Sequence, residues 1–367
     1  MTLQHSAQQQ SAHQYSAQQR TVRIGGREVG PGAAPFVIAE MSGNHDGDLD
    51  QALAIVRMAA EAGADAVKLQ TYTADTITLD ADTPEFRLSP THELWADRRL
   101  HDLYEEAHTP WDWHRPIFDL AAELGLLAFS SPFDPTAVAF LEDLDVPCYK
   151  IASSEIVDLP LIRRVAATGK PLIISTGMAS VGEIDAAVSA ARSVGNDQIV
   201  VLSCTASYPA DPCDSNLRGI PVLADTFGTL VGLSDHTLGI GAAVAAVALG
   251  ACVIEKHVTL SREGGGVDSA FSLEPDELAA LVRESRTAWQ ALGAPRIGAR
   301  DSEAEGLRFR RSLFVTQDVR AGDVVSPANV RSVRPAGGLA PDLYDVVEGR
   351  LFRSDAVKGT PLRWDLL

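Results

Sequence analysis

Lysine is scarce in this chain of 367 residues: of 31 basic residues only Lys68, Lys150, Lys170, Lys256 and Lys358 are lysine, and the rest are arginine. Positive charge as a whole is in deficit, with a formal net charge of −18 and a pI near 4.8. That balance argues against nucleic acid or an anionic membrane as partner, since both need a basic surface. No apolar run reaches the roughly 20 residues of a membrane span, and no basic-then-apolar leader opens the sequence, so a cytoplasmic location is expected. The four cysteines, Cys148, Cys204, Cys213 and Cys252, show no CxxC or zinc-finger spacing, and they are expected to be reduced. Nucleotide fingerprints of the GxxxxGK[ST] or GxGxxG type are missing too.

What the chain does contain is a hydrophobic fraction of 46%, enough for one large domain and a small one. Residues 1–20, rich in Gln, Ser, Ala and His, have no periodic apolar face and are expected to be a disordered tail, which leaves His5 and His13 without a role. From residue 36 onward eight short apolar runs alternate with helical stretches: 36–39, 66–69, 127–129, 148–151, 172–174, 199–202, 230–233 and 252–254. Strict alternation predicts a parallel sheet. Eight units, each ending in polar residues, predict a closed (β/α)8 TIM barrel rather than an open doubly wound sheet, with those residues on the C-terminal rim. The 30 or so residues after the second run break the rhythm and are expected to form a lid or a subunit contact. The barrel is expected over 21–295, a Gly- and charge-containing linker over 296–310, and a small β-rich domain over 311–367.

The stretch 230–268 reads as strand, helix, strand, and its two apolar runs end in Ser234-Asp235-His236 and Glu255-Lys256-His257. Two histidines from neighbouring strand ends suit a borderline divalent metal such as Mn2+, Fe2+ or Co2+, completed by water and substrate oxygens. Mn2+ is the first expectation, with Mg2+ or Co2+ as alternatives. Of the few lysines, Lys68, Lys150 and Lys256 end predicted strands. An ammonium suits phosphate or carboxylate as a point charge, so Lys68 and Lys150 with Ser131, Ser153 and Ser175 predict a pocket for a phosphorylated carboxylic acid. Lys256 fits either such a pocket or a plain ion pair. Glu40, Glu155, Asp235 and Asp268 are the candidate acids, bases and supporting carboxylates, and Tyr208 either meets substrate or packs.

The segments IAEMSGNHDG, VKLQTYTADTITL, FSSPFD, CYKIASSE, IISTGMAS, GLSDHT and EKHVTLSREGGGVDSAFSLEP resemble the sialic acid synthase family, in particular its pseudaminic acid synthase branch. The C-terminal VRPAGGL resembles the SAF, or antifreeze-like, domain of those enzymes, a β-clip fold; together the likeness spans about residues 21–367. It implies a metal-dependent condensation of phosphoenolpyruvate with the open-chain aldehyde of an N-acylated amino sugar, 2,4-diacetamido-2,4,6-trideoxy-L-altrose in the pseudaminate branch, giving a nine-carbon 2-keto acid and phosphate. By the same resemblance phosphoenolpyruvate falls on Lys68, Ser131, Lys150, Ser153 and Ser175, the metal on His236 and His257, and the acceptor on Gln70, Tyr208 and Asp268. A domain-swapped homodimer is implied, with Arg334 meeting the N-acyl group of the sugar. Ala206 in CTASYP departs from the polar residue common there. Rivals are the N-acetylneuraminate and legionaminate branches, a barrel metal-dependent hydrolase, and a non-catalytic sugar-binding protein.

Overall fold

Runs buried on both faces can only be central strands of a sheet covered by helices, and all five residues of Phe36–Glu40 are buried. The computed structural model describes residues 20–89 and 98–367. The tail expectation and the middle of the segment after the second run lie outside the described residues. A hairpin of β1 (Val22–Ile24) and β2 (Arg27–Val29) precedes the barrel. The barrel strands are β3 (Phe36–Glu40), β4 (Ala66–Thr71), β5 (Leu127–Pro132), β6 (Tyr149–Ile151), β7 (Leu172–Ser175), β8 (Ile199–Cys204), β9 (Leu230–Asp235) and β10 (Val253–His257). They run parallel in sequence order, and β10 closes on β3. Each of the eight expected runs is one of these strands, and the polar ends belong largely to the strands themselves.

Local chemistry starts the helices where the alternation needs them. Asp48, Asp134 and Asp158 accept the first free amide groups of the helices that follow, and Ser180 and Glu183 form a reciprocal capping box. The barrel interior is filled rather than hollow, and Gly232 on β9 marks its tightest point. A Cβ there would lie 2.3 Å from the Val253 carbonyl oxygen and 2.6 Å from Leu202 Cδ2. Gly232→Ala is therefore expected to destabilise the barrel by about 1–3 kcal/mol or more through overpacking, read as a lowered midpoint in chemical denaturation.

By its internal contacts the chain divides into units 1–293 and 294–367. In the second unit, residues 301–307 form a turn and a short helix within the stretch expected as linker. Antiparallel β11 (Ser312–Val315) and β12 (Val330–Val333) pair with each other, and isolated bridges lie at 319–356 and 324–351. Leu313, Val330, Val347, Phe352 and Leu362 make a core of its own. Among the described residues no helix is long and apolar enough to cross a membrane.

The segment after β4 holds short helices at Ala74–Ile77 and Leu100–Ala107 and a turn at Trp111–Trp113. Its two feet are tied together, because the Trp111 indole donates to the Tyr72 carbonyl at 3.2 Å. Behind the barrel wall His114 bonds Thr71 at 2.8 Å, and Thr71 bonds Ser130 at 2.6 Å. Ser130, beside the predicted Ser131, thus faces the helices and not the mouth.

Candidate active site

Side chains alternate across each strand, so the register determines which polar residues meet inside. Glu40 is paired across the sheet with Lys68 and with His257, and Glu255 with Ser234. The result is a buried cluster. Lys68 Nζ lies 2.6 Å from Glu40 Oε2, 3.6 Å from Glu255 Oε1 and 3.4 Å from Ser131 Oγ. Lys150 Nζ lies 3.2 Å from the same Glu255 oxygen.

Charge is shared unevenly in this cluster. Burial disfavours the Lys68 ammonium, but Glu255 and Glu40 outweigh it and hold the lysine above its ordinary range. Lys150, with less compensation, is pulled below its range by burial. Glu40 is pushed up by burial despite Lys68, while Glu255, also opposed by burial, is held down by Lys150 and Lys68.

The remaining predicted phosphate ligands sit around these lysines. Ser175 is buried, and among the described residues its hydroxyl has no hydrogen-bond partner. Ser153 Oγ accepts from the Gly177 amide at 3.0 Å and donates to Cys204 Sγ at 3.5 Å. Glu155, on a turn of 3-10 helix at Ser154–Val157, has a buried Oε2 without a hydrogen-bond partner among the described residues. Burial pushes its pKa up to about 7, against the pull of Lys150.

His236 and His257 face each other with ring centroids 5.4 Å apart. His236 Nδ1 donates to the Thr205 carbonyl at 2.8 Å. Burial opposes a charge on this ring, but the hydrogen bonds to Cys204 and to that carbonyl outweigh it and hold the imidazole above its ordinary pKa. Burial keeps His257 well below its ordinary pKa and hence neutral. Its Nδ1 is buried without a hydrogen bond, with Asp268 Oδ2 3.6 Å away. Among the described residues no three His, Cys, Asp or Glu side chains converge in metal-binding geometry. Two facing imidazoles fit a divalent ion that would bind His236 in its deprotonated form and take its other ligands from oxygens outside the chain.

The predicted acceptor residues form a connected polar edge. Gln70 Nε2 donates to Glu40 Oε1 at 2.9 Å and to Ser42 Oγ at 3.0 Å, and Ser42 donates in turn to Asp268. Burial lifts Asp268 to about 6, partly countered by that hydroxyl. The 264–266 glycines let the loop holding Asp268 come close to the loop after β3, since a Cβ on Gly266 would meet Asp46 Oδ1 at 2.5 Å. Tyr208 packs at a tilt against His236 and Phe271, with ring centroids 4.3 Å and 5.2 Å away. Arg334 follows β12 in the second unit, exposed.

Two sequence candidates face elsewhere. Lys256 and Asp235 are register partners on the opposite side of β10 and β9, joined at 3.0 Å with the lysine also donating to Thr237 O. This pair is a buried tie in the barrel wall. Glu255 and Cys204 are the site residues that sequence reasoning missed, although the alternation that places His257 inside also places Glu255 there. Of the cysteines, Cys148 and Cys252 are buried, Cys213 is exposed and all four are free.

The NeuB family profile matches residues 55–296, and the SAF domain profile matches 310–367. The chain is 42% identical over 328 residues to the pseudaminic acid synthase of Campylobacter jejuni strain 81-176, covering 89% of this chain and 95% of that one. It is 40% identical over 333 residues to the pseudaminic acid synthase of Helicobacter pylori, covering 90% and 97%. Among solved structures, the N-acetylneuraminic acid synthetase of Leptospira borgpetersenii in complex with citrate superposes with a TM-score of 0.70 at 32% identity, covering 78% of this chain and 95% of that one.

Proposed function

Because the chain belongs to the NeuB family, we propose that it is a pseudaminic acid synthase, joining phosphoenolpyruvate to the aldehyde of 2,4-diacetamido-2,4,6-trideoxy-L-altrose with release of phosphate. The observation that carries this reading is the pairing of two buried lysines on Glu255 at one mouth with two facing imidazoles, His236 and His257, at the same mouth. Lys68, Lys150, Ser131, Ser153 and Ser175 hold the phosphate and carboxylate of phosphoenolpyruvate. The unpartnered Ser175 hydroxyl is a donor waiting for an acceptor. Gln70, Asp268 and Tyr208 orient the acceptor, and Arg334 meets its N-acyl group in a homodimer.

His236 and His257 would hold a divalent ion, Mn2+ first, with Mg2+ or Co2+ as alternatives. When bound, the ion supplies electrophilic polarisation of the aldehyde oxygen. The chain's own residues do the rest. Fixing both substrates on one rim brings C3 of phosphoenolpyruvate to the aldehyde carbon, where the new carbon–carbon bond forms. Positive character then develops at C2, and the carboxylates facing it stabilise that charge. Glu40 is committed to Lys68 and Gln70, whereas Glu155 has a free oxygen and a pKa of about 7. Ionised Glu155 therefore takes one proton of the water that adds to C2, balancing the proton gained by the former aldehyde oxygen as it becomes a hydroxyl. The tetrahedral carbon then expels phosphate by cleavage of the C–O bond, and the remaining water proton leaves with the phosphate as the C2 hydroxyl becomes the keto group.

The test is phosphate release from phosphoenolpyruvate against a panel of amino sugars, with and without chelator. The diacetamido-trideoxy-altrose is expected to exceed N-acetylmannosamine and the legionaminate precursor in kcat/KM. His236→Ala is expected to lower the rate at least about a hundredfold, to the chelator-treated background. Full activity of His236→Ala after chelator treatment would remove the metal from this reading.

A further inference from the structure

The polar edge of the acceptor site is matched by an aromatic one that the reaction scheme leaves unused. Tyr72 directly follows β4, two residues beyond Gln70, and Phe133 directly follows β5, two residues beyond Ser131. Their positions put both rings on the rim that carries the site. Tyr104 reaches them from the Leu100–Ala107 helix. Tyr72 is only 3% exposed and meets Tyr104 and Phe133 edge to face, with centroids 5.7 Å and 5.2 Å away. Burial raises the pKa of both phenols, with a further push on Tyr72 from Asp268, Tyr104 and Glu40 and on Tyr104 from Glu155. The helix is seated against the loop after β3, where a Cβ on Gly43 would lie 3.2 Å from the Ala107 carbonyl oxygen.

One pleat of a strand advances about 6.5 Å. Tyr72 therefore stands that far above Gln70, away from the lysine layer where the reacting carbons must meet. An open-chain acceptor with its aldehyde at that layer presents its other end to Tyr72. We propose that Tyr72, braced by Tyr104 and Phe133, is a specificity-determining residue whose ring forms an apolar wall for the terminal methyl carbon of a 6-deoxy amino sugar. This rests on the synthase reading above. An aromatic edge takes a methyl group without loss, whereas a terminal hydroxyl placed there gives up hydrogen bonds to water. A contact of this size discriminates by about 10-fold or more.

The test compares the 6-deoxy acceptor with its synthetic counterpart carrying a 6-hydroxyl. In Tyr72→Ser the ratio of kcat/KM values, deoxy over hydroxy, is expected to fall about tenfold or more, while Tyr72→Phe keeps it. An equal loss for both sugars in Tyr72→Ser would make the ring mere support for the helix and overturn the wall. A second measurement needs no turnover. In protein bearing ring protons only on tyrosine, saturation of those protons is expected to transfer to the methyl signal of the deoxy sugar in the wild type. Most of that transfer is expected to be lost in Tyr72→Phe, whose new ring carries no protons; no transfer in the wild type, or undiminished transfer in the variant, overturns the proposal. Failure of the wild type to release phosphate with either sugar would sink the synthase reading instead, and the transfer measurement would still decide the wall.

Discussion

Glu155→Gln is expected to lower kcat for phosphate release by about 10²–10⁴-fold, the usual contribution of a positioned acid or base, with the KM for phosphoenolpyruvate nearly unchanged. The glutamine keeps the shape and cannot accept a proton. In the wild type kcat should rise with pH through about 7, where burial has lifted the carboxyl, and that limb should vanish in the variant. Stability moves the other way. A carboxyl whose folded pKa lies above its unfolded value contributes fully below the unfolded value, near 4.5, and loses that contribution as pH rises through about 7. The shift corresponds to a cost on the order of 3 kcal/mol for keeping the charge buried at high pH. Glu155→Gln should thus unfold later than wild type at pH 8 and show no such gain near pH 4. A variant that keeps the wild-type rate would take Glu155 out of the chemistry.

Lys150→Met is expected to raise the KM for phosphoenolpyruvate by about 10²-fold or more, since a charge-assisted contact to a buried anion is lost. It should also cost about 3–5 kcal/mol of stability, as removal of one partner from a buried ion pair does. Lys150 and Glu255 are 3% and 5% exposed, so solvent screens the loss little. Without Lys150, Glu255 keeps Lys68 at 3.6 Å and the Ser234 hydroxyl at 3.5 Å, which leaves its charge poorly compensated. The double variant Lys150→Met/Glu255→Gln separates the two effects: denaturation should show most of the stability restored, and phosphoenolpyruvate saturation should not recover. If the double variant were no more stable than the single one, the uncompensated carboxylate would not be the source of the loss.

The barrel was legible because eight apolar runs cannot alternate with helices in many ways, and the polar residues at their ends marked one rim. Which polar residue faces in was less legible. In Val253–His257 the odd positions line the mouth and the even ones face the helices, so Glu255 accompanies His257 while Lys256 turns to Asp235. Reading Glu255, Lys256 and His257 as one cluster overlooked the period of two that the same strand assignment implies. Gly266 and Asn44 show what sequence order cannot reveal, because their approach across more than 200 residues exists only once the barrel has closed: Asn44 Oδ1 receives the Asp268 amide at 3.3 Å. Rarity was a sounder guide. Lys68 and Lys150, two of five lysines in an arginine-rich chain, are both in the cluster.

The bond from the Trp111 indole to the Tyr72 carbonyl closes the neck of the excursion after β4. Closing entropy grows only with the logarithm of loop length, so the distance around the loop matters little once its feet are joined. The neck thereby holds the register of β4 and β5 whatever path the chain takes beyond it. Within the excursion Tyr104 and Ala107 remain tied to the barrel through Tyr72 and Gly43, so substitutions at exposed described positions such as Leu79 carry small thermodynamic risk, beside a lysine layer that tolerates almost none.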